Sequence, residues 1–238
     1  MTWFPGSDIP GTVLEPGVRV ERRNVILAAM GAPLVLGARP AVEDSDGMGA
    51  FLDLAAKAAW PLMDGASTNE DAYLYHLASH LSQVSDLPEN GFGEIGDGIR
   101  FAGGGGRSAG DESYQKIRAV QIGFGPGAKI PIHDHLEYSG LILCLEGELR
   151  CRNFDVVEEV EGDDVVIRET LDGLLTPGRF STLSTTRDNL HELVAGPEGC
   201  RVLDVFTYFS DRATSRYLKI QDEEPLDSAK RLFAARWS

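Results

Sequence analysis

The stretch "PGAKIPIHDHLEYSGLILCLEGEL", residues 126–149, carries two of the chain's five histidines, His133 and His135, with one aspartate between them. Residues two apart project from the same face of an extended strand, so both imidazoles can converge on one point. Gly125-Pro126-Gly127 supplies a tight turn upstream, and five residues separate Gly127 from His133. Downstream, the apolar run from Leu141 to Leu145 leads into Glu146-Gly147-Glu148, which reads as a hairpin turn. A third histidine, His191 in "TTRDNLHELVAG", lies on a later segment with the same turn-and-strand texture.

The surroundings fix the fold class. From Ile117 onward, short segments rich in Val, Ile, Leu, Phe and Thr recur between turn signals, among them "IRAVQIGF", "DDVVIRETL" and "CRVLDVFTYF". Regularly spaced short strands without helical periodicity between them predict an antiparallel sandwich or barrel. A final stretch, Leu226 to Trp237, predicts a short C-terminal helix.

Before the β region the texture is helical. Residues 47–59, "GMGAFLDLAAKAA", predict a helix ending before Trp60-Pro61. Ser67-Thr68-Asn69-Glu70 has capping-box spacing, and Ala72, Leu74, Leu77, Leu81 and Val84 follow at helical intervals. His76 and His80 lie four apart on this second helix. "HLASH" lacks the glutamate of the zinc-protease helix, and no third ligand is near in sequence, so the pair reads as exposed helix surface. Residues 89–113 are glycine-rich. The run Gly103 to Gly106 lacks the Gly-Lys-Ser/Thr ending of a phosphate loop and reads as a flexible connection.

Composition sets outer bounds. With 238 residues, 42% hydrophobic and 25% charged, the chain has ample material for a core. Its formal charge of -15 repels phosphate backbones, and no basic cluster offsets it, which argues against nucleic-acid binding. Three cysteines are too few for a disulfide scaffold, and Cys144 reads as a small buried hydrophobe. Near the start, Arg22-Arg23 precede an uncharged run from Asn24 to Ala38, too short for a membrane span and proportioned like a signal-peptide core. The pair resembles a twin-arginine export signal; the other reading is a buried element of the fold. The expected organisation is therefore a signal segment over 1–40, a helical region with its glycine-rich loop over 41–112, and a β-barrel domain over 113–238. On the export reading the protein works outside the cytoplasm, in the periplasm, without a stable membrane anchor. Otherwise it is cytoplasmic.

Glycine, five residues, His-x-His, a glycine turn after a β-run and one further histidine on a later strand together resemble the cupin superfamily. Within it, "IPIHDH", "TTRDNLHEL" and "CRVLDVF" are similar to the thiol dioxygenases of the cysteamine dioxygenase and plant cysteine oxidase branch. The likeness covers residues 117–220. It implies a mainly β fold, a jelly-roll barrel with an N-terminal helical segment. It also implies mononuclear Fe(II) held by His133, His135 and His191. Many cupins add a glutamate ligand after the histidine pair; the corresponding slot here is Gly140, and Glu137 is offset from it. Three neutral imidazoles leave open positions on a metal, suited to a thiol, which a nearby cation favours as thiolate, and to O2.

The same resemblance assigns Asp204, in "VLDVF", to orienting a ligand or accepting a proton, and makes Tyr208 a phenol candidate near the metal. Asp134 points away and reads as structural, and Arg187-Asp188 as a loop-fixing ion pair. The chain departs from the family in having Thr207-Tyr208-Phe209-Ser210 where a Pro-Pro-Tyr turn is usual. "RATSRYLKI" also contains no cysteine for a Cys–Tyr crosslink. The implied activity is oxidation of a small thiol (an aminothiol, a mercapto-acid or an N-terminal cysteine) to its sulfinic acid. Two other readings stay open: a three-histidine cupin enzyme acting on a carbon substrate, and a non-catalytic metal- or ligand-binding cupin serving as a sensor or store. The ligands alone do not select iron, since copper and zinc bind imidazole more tightly. The identity of the thiol and the oligomeric state are left open by the sequence.

Overall fold

The computed structural model describes residues 47–107, apart from residues 66, 85, 88, 90–91 and 93–94, together with residues 116–238. The arginine pair and apolar run near the start lie outside the described residues. Among the described residues, helices α1 (Met48–Met63) and α2 (Glu70–Leu81) come first. Nine strands follow: β1 (Ile99–Arg107), β2 (Ile117–Phe124), β3 (Lys129–Asp134), β4 (Tyr138–Glu159), β5 (Asp164–Leu175), β6 (Phe180–Leu183), β7 (Leu190–Tyr208), β8 (Leu218–Ile220) and β9 (Leu232–Trp237). All pairings are antiparallel.

The protein is mainly β, and its architecture follows from two long strands. β4 and β7, of 22 and 19 residues, pair from Tyr138–Tyr208 at one end to Phe154–Leu190 at the other. Register shifts at Cys144/Glu146 and Gly147/Leu149 interrupt that ladder midway. Such bulges bend a strand, and here the sheet curls so that its two halves face each other. One half holds β1, β2, β6 and the adjoining parts of β4 and β7; the other holds β3, β5 and the remaining parts. Ile122, Phe124, Ile142, Cys144, Leu193 and Val202, drawn from both halves, fill the space between. The curled antiparallel sheet is consistent with the jelly roll that the family resemblance implies.

Side chains alternate along a strand, so the neighbours of those core residues face the other way. Leu141, Leu143, Leu203 and Val205 meet α1 and α2 in a second core. Tyr73 of α2 is anchored there by a buried 2.7 Å hydrogen bond between its hydroxyl and that of Thr207. On the back of the β3–β5 half, Ile132, Phe154, Ile167, Leu190, Leu218 and Phe233 form a third core beneath β8 and β9.

Several local expectations are corrected. Glu146-Gly147-Glu148 is not a hairpin turn: β4 continues through it, bending there. Gly147 has φ +72°, and a Cβ there would stand 2.2 Å from the Gly199 carbonyl oxygen. The glycine serves close approach of β4 to β7 at the bend, not chain reversal. The glycine run 103–106 is not a loop but part of β1, where it satisfies the outer backbone groups of β2. Strand periodicity is carried by side chains, and glycines have none to show.

Leu226–Trp237 is not a helix. Its Ala, Leu and Arg content favours helix, but β5 needs a partner and the third core needs Phe233 and Ala235, which alternate inward from β9. Helix α1 does not stop before Trp60 but continues through Pro61 in its last turn, where only one backbone bond is forfeited. The cap of α2 is Asn69, accepting from the Ala72 N–H at 3.0 Å. Glu70 instead accepts from the backbone N–H of Thr185 at 2.8 Å, tying the helix to the loop that precedes His191.

Candidate metal centre

Strand pairing brings the three histidines together. β3 and β7 place His133 directly opposite His191, and His135 follows two residues on. The Nε2 atoms of His133 and His191 are 3.0 Å apart, and those of His135 and His191 are 3.3 Å apart. Two nitrogen ligands at right angles, each about 2.1 Å from a metal, lie about 3.0 Å apart, so the spacing suits one shared ion. His135 and His191 are buried and His133 is half-buried. These three residues could hold a metal ion, and no other group of three or more potential ligands is close enough to do so among the described residues.

Electrostatics favours the same use. Burial holds the His135 and His191 imidazoles well below their ordinary titration range, and repulsion within the cluster adds to this. Burial lowers His133 too, against the opposing pull of Pro131 and Asp134. All three are neutral near pH 7, the form that binds metals. His133 Nδ1–H donates to the Pro131 carbonyl at 2.9 Å, which leaves the Nε2 lone pair facing the cluster. At most a few protons can sit among three converging nitrogens, whereas one cation satisfies all of their lone pairs. The donor set therefore fits a metal on the structure's own terms.

Gly140 lies against this cluster. A Cβ there would be 3.1 Å from His135 Cε1 and 3.3 Å from its Nδ1, so the glycine makes room for the imidazole. No side chain from this slot competes for the metal. Glu137, offset by three residues, is exposed, and its φ is +60° at the turn between β3 and β4.

Asp204 and Tyr208 occupy the face of β7 that includes Val202, the face turned to the interior. Asp204 is buried, and that burial pushes its carboxyl up to about 8. Its Oδ1 has no hydrogen-bond partner among the described residues. The Asp204 charge raises the pKa of both Tyr138 and Tyr208, which places it within electrostatic reach of the aromatic wall beside His135. Tyr208 is a layer removed from the imidazoles: its ring lies 5.3 Å from that of Tyr138 and 6.0 Å from Phe206. Tyr138 itself stacks on His135, centroids 4.2 Å apart and 17° from parallel.

Three contributors were not singled out from sequence. Tyr138 is one. Asn189 is another: its side chain accepts from His135 N–H at 3.1 Å and donates to the carbonyls of His135 and Ser184. It thus pins one ligand to the loop leading to another, and its place in "RDNLH" was the available signal. The third is Arg216, which holds Asp134 with three contacts of 2.6–2.8 Å. Asp134 is structural, as expected. Arg187 and Asp188 do pair, and Arg187 also reaches Asp71 of α2. His76 and His80 stand on α2, across from the β sheet's interior, with rings 4.5 Å apart.

Fold and site together define a mainly β protein whose curled sheet holds three imidazoles able to bind one metal ion. No family model and no curated protein sequence matches the chain. Among solved structures it is similar to KdgF from Halomonas sp., at 19% identity and TM-score 0.34 over 50% of this chain and 87% of that one. It is also similar to the coconut allergen cocosin, at 19% identity and TM-score 0.33 over 43% of this chain and 24% of that one. A structure of oxalate oxidase is similar at 15% identity and TM-score 0.32, over 40% of this chain and 43% of that one. The chain thus spans most of the first of these and less than half the length of the other two.

Proposed function

We propose that the protein is a mononuclear non-haem iron dioxygenase that converts a small thiol to its sulfinic acid, RSH + O2 → RSO2H, both oxygen atoms ending on sulfur. The observation that carries this reading is a converging donor set made of three neutral imidazoles, with glycine in the slot where a carboxylate ligand would stand. Ferrous iron bound there supplies a redox-active, Lewis-acidic centre with open positions. The protein's own share is to present three Nε2 atoms, to offer no carboxylate from the Gly140 slot, and so to favour an anionic sulfur donor.

The remaining residues shape the surroundings. Tyr138, Phe206 and Tyr208 form an aromatic wall along one side of the buried His135. Asp204 holds its proton at neutral pH and serves as a hydrogen-bond donor toward an oxygen-bearing ligand, rather than as the proton acceptor the resemblance suggests. The Arg22-Arg23 segment supports export of the folded protein; fusing residues 1–45 to a reporter and locating it tests that.

The deciding experiment loads the protein with Fe(II) anaerobically, admits 18O2, and follows cysteamine, cysteine, 3-mercaptopropionate and a peptide with N-terminal cysteine. One O2 consumed per thiol, with two labelled oxygens in the product, is the expected result. No oxygen uptake with any thiol overturns the dioxygenase reading. Tight metal binding without turnover then favours the sensor or storage alternative.

A further inference from the structure

We propose that residues 214–217 form a strap that fixes the metal centre, with Arg216 and Trp237 as positioning residues for His133 and His135. The strap lies along the edge of β3 that does not pair with β7. Tyr217 bridges to His133, and Thr214 bridges to Leu136. Asp134 N–H donates to the Arg216 carbonyl at 3.0 Å, and Leu136 N–H to that of Thr214 at 3.0 Å. Ser215 is bonded to the hydroxyl of Tyr138, the ring that stacks on His135. The strap therefore touches His133, Asp134, Leu136 and Tyr138, and so reaches His135 through the residues on either side of it and through the ring stacked on it.

Its key is the side chain between those ligands. Asp134 is almost fully buried, and both of its oxygens are engaged by Arg216: backbone N–H at 2.6 Å, Nε at 2.8 Å and Nη2 at 2.7 Å. The guanidinium lies 4.0 Å from the centre of the Trp237 ring. Trp237 is held in turn by pairing with Leu218 and by its N–H to the Asp163 carbonyl at 3.0 Å. A guanidinium that holds Oδ2 with two nitrogens, while its own backbone N–H holds Oδ1 and its plane lies against an aromatic face, has little freedom, so Asp134 and the two flanking imidazoles inherit that rigidity. The end of β9 is thereby part of the metal centre's support, although it is about a hundred residues from His133 in sequence.

This rests on the metal-centre reading but not on thiol oxidation, and its test uses Co(II), whose d–d spectrum reports ligand geometry. Arg216→Gln is expected to weaken Co(II) binding at least about tenfold and to shift the d–d bands, the scale typical of groups that orient metal ligands. Arg216→Lys recovers part of the loss, and Trp237→Ala shows a smaller change in the same direction, which Trp237→Phe reverses. Arg236→Gln, also on β9, breaks an exposed ion pair with Asp164 of β5 and leaves affinity and spectrum unchanged. If Arg216→Gln does not fold by circular dichroism, Asp134→Asn, which keeps the shape and removes the charge, takes its place. Wild-type affinity and spectrum in the folded variant overturn the proposal, as does an equal loss in Arg236→Gln. A wild-type protein that binds no Co(II) brings down the metal-centre reading, and the strap's role with it.

Discussion

Two regions carry histidines, and they differ in every respect except spacing that looks suitable for a metal. On α2, His76 and His80 are four apart, their rings 4.5 Å from each other, with water on one side. On β3 and β7, His133, His135 and His191 are buried or half-buried, and their Nε2 atoms lie 3.0–3.3 Å apart in sequence-distant pairs. The helix pair has no third ligand among the described residues and pays little for staying solvated. The strand cluster has been taken from water, has its tautomer set at His133 by Pro131, and has converging lone pairs that only a cation satisfies together. Local spacing proposes a site; burial and convergence across strands make one.

The largest effect should come from breaking that convergence. His191→Ala removes the nitrogen nearest both others, and metal affinity is expected to fall more than a hundredfold, beyond the ~10–100-fold cost of losing an orienting partner. Equilibrium dialysis with Fe(II) or Co(II) checks this, and an affinity within tenfold of wild type would sink the ligand assignment. Gly140→Ala should come next. The new methyl stands 3.1 Å from His135 Cε1, so the imidazole or β4 must shift. Crowding of this kind costs about 1–3 kcal/mol in stability, and a displaced His135 should weaken metal binding several-fold. Metal titration beside thermal melting separates the two effects.

pH contrasts the imidazoles with Asp204. In the metal-free protein, the folded His135 and His191 refuse protons that the unfolded chain accepts near pH 6.5, so stability is lost as pH falls below that value. Asp204 has the opposite sign. The folded carboxyl keeps its proton up to about 8, whereas the unfolded one releases it near 3.8, so stability falls as pH rises between these values. Each shifted group contributes a slope of at most about 1.4 kcal/mol per pH unit. Asp204→Asn keeps the shape of the neutral acid and is expected to be more stable than wild type at pH 8 but not at pH 4. Chemical denaturation of metal-free protein at both pH values checks it; equal differences at the two would remove the case for a buried neutral acid.

Which parts were legible depends on what carried the signal. His-x-His on a strand was readable because strand period is two, and His191 because its flanking "RDNLH" matched a known pattern. Most strands were readable from branched and aromatic residues between turn signals. β1 was not, because Gly103–Gly106 have no side chains to show a period, and β9 was not, because Ala and Arg suggest helix until the third core claims Phe233 and Ala235. Gly147 was mistaken for a turn because a bulge and a turn ask the same backbone freedom of glycine. The strap over β3 was out of reach: no local pattern links Asp134 to Arg216, 82 residues away, or Arg216 to Trp237.

The smallest expected effect tests the other half of the comparison. His76→Ala and His80→Ala replace residues on the solvent side of α2, whose buried face is Tyr73, Leu74, Leu77, Ala78 and Leu81. Neither imidazole enters that core, and alanine is the better helix former, so stability should change by no more than about 0.5 kcal/mol. Imidazoles four apart on a helix can still share a loosely held ion, and such an ion would appear as a second equivalent in a Co(II) titration. The expected titration saturates at one equivalent in the wild type and in both variants, with the d–d spectrum unmoved. A wild-type second equivalent lost in His76→Ala would mean that helical spacing alone suffices here. It would also return α2, with the groove that Asp53, His76 and His80 line, to the set of metal sites.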